Sequence, residues 1–404
     1  MKKVIGLLLV IALIGALSAS LFACSSTPRD EILKIYMPGD YIDEDMVEQF
    51  ESWYLEETGK KVSVQIELFE KVEDIQRSVE QGKADYDLLC PSDYMVEYLI
   101  RKNLLKKVDK EIIDVEEEGL FREQYLETSR EFDPTLEYAV PYMYGTLGLV
   151  YDLRKTGGQI TSWSDLFGSH NYKVSIKDSP RDAYAAACLY NARASLRGLT
   201  GTAQKSAVQA VFEDTKTETV TAAKNTLKGV PDGTVWDTDD VKFAMANNTS
   251  NVAVALMWSC DAGYVMNDYE DSNGRMQTGN RNLWYVVPEE GGNVYIDCFV
   301  ISKYAKNELA ANYFLKFLCE EETAIANSEY AGAVSPVKAA YDALWEDYND
   351  PENEMLADSD PAWREMFLET MFPSDETLNR CGVMKDFGSG QSNVDKMWSA
   401  VKGG

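Results

Sequence analysis

Residues 255–265 read ALMWSCDAGYV: an apolar run ends on Trp258, and a carboxylate, Asp261, follows three positions later. A carboxylate beside an indole needs water or a positive partner, because burying it alone is costly. The pairing of acid with ring recurs along the chain, at Asp40 and Tyr41, at Ser92, Asp93 and Tyr94, and at Tyr295 and Asp297, with further acids at Asp178 and Asp182. Carboxylates can hydrogen-bond an ammonium while flat rings cover its alkyl stem, and a cation over an indole gains about 0.5–2 kcal/mol. A bound cation would also let several converging acids stay ionised. The chemistry these residue types suit is capture of an alkyl amine, by Asp40, Tyr41, Ser92, Tyr94, Asp182, Trp258, Asp261, Tyr295 and Asp297. Singly, each has a plainer use: an aspartate after a strand caps a helix, and a tyrosine packs with its polar tip in water. Asp297, set between Ile296 and Cys298 in an apolar run, is the hardest to assign to the surface, since buried acids need partners.

The elements that would position these residues alternate. ILKIYM reads as a buried strand; DEDMVEQFESWYLEETG follows as a helix with Met46, Val47, Phe50, Trp53 and Tyr54 on one face and Gly59 at its end. KVSVQIELFE has the period of a strand with one face covered, and YDLLC is a further short strand. Strand, helix, strand, helix, strand is the rhythm of a parallel sheet with crossover helices. Further on, YAVPYMYGTLGLVYD reads as a pair of extended segments through Gly145 and Gly148, TSWSDLFG as a short helix, and KVSIKD, NVAVALMW and NVYIDCFVIS as strands; residues 181–229 and the tail from 307 read as helical. In open α/β sheets the ligand site lies beyond the carboxyl ends of the strands, which is where most of the acid and ring pairs fall. An α/β fold of two lobes, with strands passing between them, fits this order.

A chain of 404 residues is long for one core and suggests two or three lobes. It carries 39 basic and 67 acidic residues, net −28, which repels nucleic acid and anionic lipid and draws cations; the same excess also serves solubility. MKKVIGLLLVIALIGALSASLFAC has the layout of a secretory signal, two lysines, an apolar stretch, then small residues. Its last four residues, Leu21 to Cys24, resemble the lipobox of bacterial lipoproteins, which makes Cys24 the lipidated first residue of a mature chain in the periplasm or on the cell surface, held to the membrane by lipid alone. A plain membrane anchor is the alternative, for which the apolar segment is short against the roughly 20 residues of a spanning helix. Six cysteines remain, mostly within apolar runs, and free buried thiols suit several of them. With no CxxC pair and His170 as the one histidine, neither a metal nor a cofactor is expected.

LKIYMPGDYIDEDMVEQFESWYLEETGKKV, YDLLCPSDYMVEYL, YAVPYMYGTLGLVYD, TSWSDL, ALMW and GGNVYIDCFVIS together resemble, in order and spacing, the spermidine/putrescine-binding proteins of bacterial polyamine ABC importers. The resemblance runs from about residue 32 to the C-terminus. It implies a periplasmic-binding-protein fold, two hinged lobes with mixed sheets and inter-lobe crossover strands. Polyamine would sit in the cleft, a permease would be the partner, and the protein would be a monomer. The expected division is a signal peptide at 1–23, a tether at 24–31, one lobe from 32–144 with 297–345, and the other from 145–296 with 346–404. Position by position, Tyr41, Ser92 and Tyr94 match pocket positions of the first lobe, and Asp182, Trp258, Asp261, Tyr295 and Asp297 those of the second lobe and the crossover. The implied roles are ammonium binding by Asp182, Asp261 and Asp297, and stacking on the methylene chain by Trp258, Tyr295 and the two tyrosines. The chain departs from the family pattern at Met37-Pro38-Gly39-Asp40-Tyr41, which lacks the family's tryptophan. It departs again at Asp178-Ser179-Pro180-Arg181-Asp182, where Ser179 replaces an acid, and at Met384, where some members have glutamine. Trp258-Ser259-Cys260-Asp261 looks like the WxxD of putrescine-preferring members.

Three other readings compete. An exported hydrolase could use Asp182 and Asp297 as an acid and base, though it would need a defined separation and one raised pKa. A ferric- or sugar-binding lipoprotein would leave Trp258 or the recurrent acids unexplained. A structural lipoprotein would make the series of strand-end residues a coincidence.

Overall fold

The computed structural model describes residues 27–403 except 83–84, 238–239, 268, 271–274, 278, 354–355 and 357–358. The signal segment and Cys24 lie outside the described residues. Thirteen strands are described: β1 (Ile32–Pro38), β2 (Ser63–Phe69), β3 (Leu88–Leu89), β4 (Leu105–Lys106), β5 (Ala139–Asp152), β6 (Lys173–Lys177), β7 (Val235–Asp237), β8 (Val252–Trp258), β9 (Tyr269–Glu270), β10 (Met276–Gln277), β11 (Leu283–Val286), β12 (Gly292–Ser302) and β13 (Cys381–Gly382). Apart from the β9–β10 pair they hydrogen-bond as one mixed sheet, in the order β2-β1-β3-β12-β5-β8-β6-β7 with β4, β11 and β13 on its long strands.

Two long strands join the halves of this sheet. β12 pairs with β3 and β4 at its C-terminal end and with β13 at its N-terminal end. β5 runs beside β12 from Ala139 to Leu147 and continues to pair with β8 and β11 through Asp152. The pair of segments expected from YAVPYMYGTLGLVYD is therefore one continuous strand, with both glycines inside it. Their role is close approach: a Cβ at Gly145 would lie 2.4 Å from the Tyr295 hydroxyl, and one at Gly148 would lie 2.4 Å from the Val286 carbonyl. Beyond the crossover, β1 is parallel to β2 and β3, as the strand and helix alternation predicts, and β6 is parallel to β8 and to β7, a short strand the sequence reading did not name.

The packing follows the same division. One core is drawn wholly from residues 33–143 and 299–340 and includes Leu33, Ile35, Phe50, Phe299 and Phe314, all fully buried. The other gathers most of 147–287 with the C-terminal segment and reaches the opposite face of β1 and β3. The helix Glu44–Thr58 buries Phe50 and Tyr54 and is closed by Gly59 in the left-handed region at φ 70°. β2, at the sheet edge, is less covered than its alternation suggests: Leu68 is 59% exposed. All six cysteines after Cys24 are free thiols, five of them buried and Cys260 half-buried. No helix among the described residues is long and apolar enough to cross a membrane.

Candidate functional site

A proline begins the site. Pro141 in β5 has no N–H for the ladder, and the β5–β12 register slips between Asp297 and Cys298, so that Tyr142 is the extra residue. At the slip, β12 turns to another partner: the Cys298 amide donates to the Pro91 carbonyl at 3.0 Å, and Asp297 bridges to Ser92. Ser92 stands at the N-cap of the helix Asp93–Arg101 but makes no side-chain cap; its hydroxyl instead donates to Asp297 Oδ1 at 2.5 Å. Forgoing that cap costs the helix about 1 kcal/mol, which marks the bond to Asp297 as the better use of the hydroxyl. Tyr41 donates to Asp297 Oδ2 at 2.7 Å, and Tyr142 holds Tyr41 by donating to its carbonyl at 2.6 Å.

Asp297 is thus a carboxylate whose described partners are two neutral hydroxyls. Burial raises its pKa above the ordinary carboxylate value, and the Ser92 and Tyr41 hydrogen bonds pull it part of the way back. Tyr295, two residues earlier on the same face of β12, lies over Gly145, and its hydroxyl donates to the Cys260 sulfur at 3.1 Å. Its ring stands 6.4 Å, centre to centre, from that of Trp258 at 61°.

Trp258 ends β8 and precedes the helix Ser259–Met266, whose first turn carries Asp261. The positive partner that ALMWSCDAGYV calls for is supplied by the chain. Lys177, the last residue of β6, donates to Asp261 Oδ2 at 3.0 Å, and Lys242 donates to Oδ1 at 2.8 Å. The Lys177 ammonium also sits 3.4 Å from the centre of the Trp258 ring. Burial would raise the Asp261 pKa, but the two lysines overcome it and hold the group far below its ordinary value.

Asp182 is 6% exposed, in the first turn of the helix Pro180–Leu196, which Ser179 caps by accepting from the Asp182 amide at 3.3 Å. Its Oδ2 is buried with no hydrogen-bond donor among the described residues. Burial pushes its pKa up to about 6 against the opposing pull of Lys177. Beside it the Arg181 guanidinium is layered between Tyr94, at 3.8 Å, and Phe387, at 4.0 Å, and donates to the Lys385 carbonyl at 2.7 Å. The Tyr94 hydroxyl donates to Glu73 at 3.2 Å, and a cavity of about 380 Å³ opens beside this stack, lined in part by Glu73, Glu80, Tyr94 and Arg181.

Of the residues expected from sequence, Tyr41, Ser92 and Asp297 are hydrogen-bonded together, and Tyr295 and Trp258 adjoin one another as ring walls. Tyr94 faces Arg181, and Asp182 is buried beside it. Asp261 is present but held by lysines. Asp40 is exposed at φ 51° and shares no described hydrogen bond with the group. Lys177 and Lys242 were missed. Lys177 left one trace, as the charged residue ending a buried strand whose carboxyl end faces the site; Lys242 left none. No group of acidic, histidine and cysteine side chains among the described residues could hold a metal ion.

The folded pKa of Asp182, about 6, lies above the unfolded value of about 4. The buried charge therefore costs the ligand-free protein stability above pH 6, and that cost disappears as pH falls towards 4. At neutral pH it amounts to about 2–3 kcal/mol. Asp182→Asn is expected to stabilise the ligand-free protein at pH 7.5 and to flatten this part of its stability profile, measured as denaturant midpoints from pH 7.5 to 4.5. Affinity for a cation should fall across the same range as the acid becomes neutral.

A profile of the bacterial extracellular solute-binding proteins matches residues 45–354. The chain is 26% identical over 318 residues to the putrescine-binding periplasmic protein SpuD of Pseudomonas aeruginosa, covering 76% of this chain and 78% of that one. It is 24% identical over 343 residues to the putrescine-binding periplasmic protein PotF of Escherichia coli, covering 81% and 84%. The crystal structure of the spermidine/putrescine ABC transporter substrate-binding protein PotD of Streptococcus pneumoniae superposes with a TM-score of 0.66 at 25% identity, over 92% of this chain and 98% of that one. The α/β fold with its crossover strands is that of the periplasmic binding proteins, as the sequence led us to expect. These relatives bind solutes and are not enzymes, so the hydrolase reading of Asp182 and Asp297 is set aside. A mixed sheet crossed by β5 and β12, with acids and rings gathered where its strands end, belongs in this chain to a member of the bacterial extracellular solute-binding protein family.

Proposed function

We propose that this protein captures a polyamine, putrescine or spermidine, outside the cytoplasmic membrane and delivers it to an ABC importer. The observation that carries the reading is Asp297, a buried carboxylate oriented by Tyr41 and Ser92, flanked by Tyr295, and bonded to no cation of its own chain among the described residues. An alkyl ammonium would give this oxygen pair the charge that burial withholds. Asp182, whose Oδ2 has no donor among the described residues, is the second acid, and the relatives named above bind putrescine or spermidine. We further propose that 32–144 with 297–345 and 145–296 with 346–404 are lobes that close on the ligand, the stacking of Arg181 on Tyr94 and the pairing of Arg101 with Asp386 being closing contacts. Lipidation at Cys24 would keep the capture site beside the permease.

Thermal denaturation with putrescine, spermidine, a neutral sugar or ferric citrate tests the reading. A ligand that binds only the folded form at 100 times its Kd adds about 2.7 kcal/mol. The polyamines are expected to raise the midpoint, less so at high salt because the attraction is partly screened. A response to sugar or iron, with none to amines, would refute the assignment.

A further inference from the structure

We infer that Lys177 is a built-in ammonium that occupies the Trp258–Asp261 station and keeps the ligand out of it, so that Asp297 and Asp182 are the acids left for the ligand. The inference rests on the polyamine reading above and deepens it to a substrate class: an amine with two ammonium groups, a diamine in preference to a longer triamine.

The geometry at Trp258 is that of an occupied amine site. Its ring is covered by a primary ammonium at 3.4 Å, and that ammonium is 3.0 Å from a carboxylate oxygen, which are the two contacts a ligand amine would make. The second oxygen of Asp261 is taken by Lys242 at 2.8 Å. Lys177 and Asp261 are 8% and 9% exposed, so this pairing is inside the protein and is poorly screened by salt. Lys177 is tethered at the end of β6 and competes for the ring at an effective concentration that free ligand does not reach. Expelling it would strand a buried charge. The WxxD element that resembles putrescine-preferring relatives is therefore satisfied from within. Trp258 and Tyr295 adjoin, so vacating this station would lengthen the amine-binding surface and favour a longer ligand.

Calorimetric affinities for putrescine and spermidine in the wild type, Lys177→Met and the double variant Lys177→Met/Trp258→Leu test this. The wild type is expected to bind putrescine at least as tightly as spermidine. Lys177→Met is expected to shift the ratio towards spermidine by about tenfold or more, equivalent to about 1.4 kcal/mol, and the double variant is expected to return it. An unchanged ratio in Lys177→Met overturns the inference. So does a shift that survives loss of Trp258, which would be long-range charge alone, or a wild type that prefers spermidine tenfold. If the wild type binds neither amine, the polyamine reading fails. The lysine assignment then stands if Lys177→Met gains amine binding and falls if it does not. Should Lys177→Met lose its native circular dichroism, Lys177→Gln takes its place, with Lys242→Met as the companion that frees the other oxygen of Asp261.

Discussion

Asp297→Asn lowers affinity for putrescine by about 100-fold or more, because removing one member of a buried charge pair costs about 3–5 kcal/mol. The amide keeps the shape of the carboxylate and one acceptor oxygen for Tyr41 or Ser92, so the fold is retained. Burial already disfavours the charge at this position, and the ligand-free variant is therefore expected to be at least as stable as the wild type. Weaker binding together with equal or higher stability separates a ligand-binding carboxylate from a structural one. Calorimetric titration and a denaturant midpoint on the same preparations read both quantities. A variant that binds normally would remove Asp297 from the site, and one that binds weakly only because it is unfolded would make the acid a structural residue.

Asp87→Ala has the opposite signature, a stability loss of about 3–5 kcal/mol with little change in affinity per folded molecule. Asp87 is fully buried. Its Oδ2 accepts from the Lys34 amide and the Arg29 guanidinium, both at 2.9 Å, and its Oδ1 accepts from the Lys306 and Asn307 amides at 2.6 and 2.9 Å. One carboxylate thus joins the segment before β1, the approach to β3, and the connection between β12 and the helix Glu308–Leu318. Its removal takes this acceptor from the Lys34, Lys306 and Asn307 amides, while the Arg29 guanidinium keeps Asp85 and the Ile32 carbonyl. The denaturant midpoint should fall at unchanged slope, the sign of lost stability without a change in the surface exposed. A loss below about 1 kcal/mol would mean that water replaces the carboxylate and that Asp87 does not hold this junction together.

The sequence exposed those features whose signal is local. Alternation in ILKIYM and NVAVAL, the spacing of Phe50 and Tyr54, and Gly59 after its helix each depend on a few neighbouring residues, and each element forms where its pattern lies. The acids and rings that follow strands could be named for the same reason, since strand ends are visible in a hydropathy pattern. Their partners could not. Tyr41 meets Asp297 across 256 positions and Lys177 meets Asp261 across 84, and nothing in the spacing says which of several nearby charges closes on which acid. That is why Asp261 reads from sequence as a ligand residue although the chain itself supplies its cations. The continuous course of β5 was hidden for a related reason. Gly145 and Gly148 look like breaks until Tyr295, Tyr285 and the Val286 carbonyl are seen to lie against them. Pro141, which looks like an interruption, is where the register shifts to bring Asp297 to Ser92.

A ligand ammonium is expected to complete the Asp297, Tyr41 and Ser92 cluster, and a crystal structure of the protein loaded with putrescine will show whether it does. The expected arrangement has an amine nitrogen within hydrogen-bond distance of an Asp297 carboxylate oxygen, about 2.8–3.0 Å, with Lys177 still lying over Trp258. Putrescine seated on Asp261 with Lys177 displaced, or bound elsewhere while Asp297 touches only its two hydroxyls, would overturn that expectation.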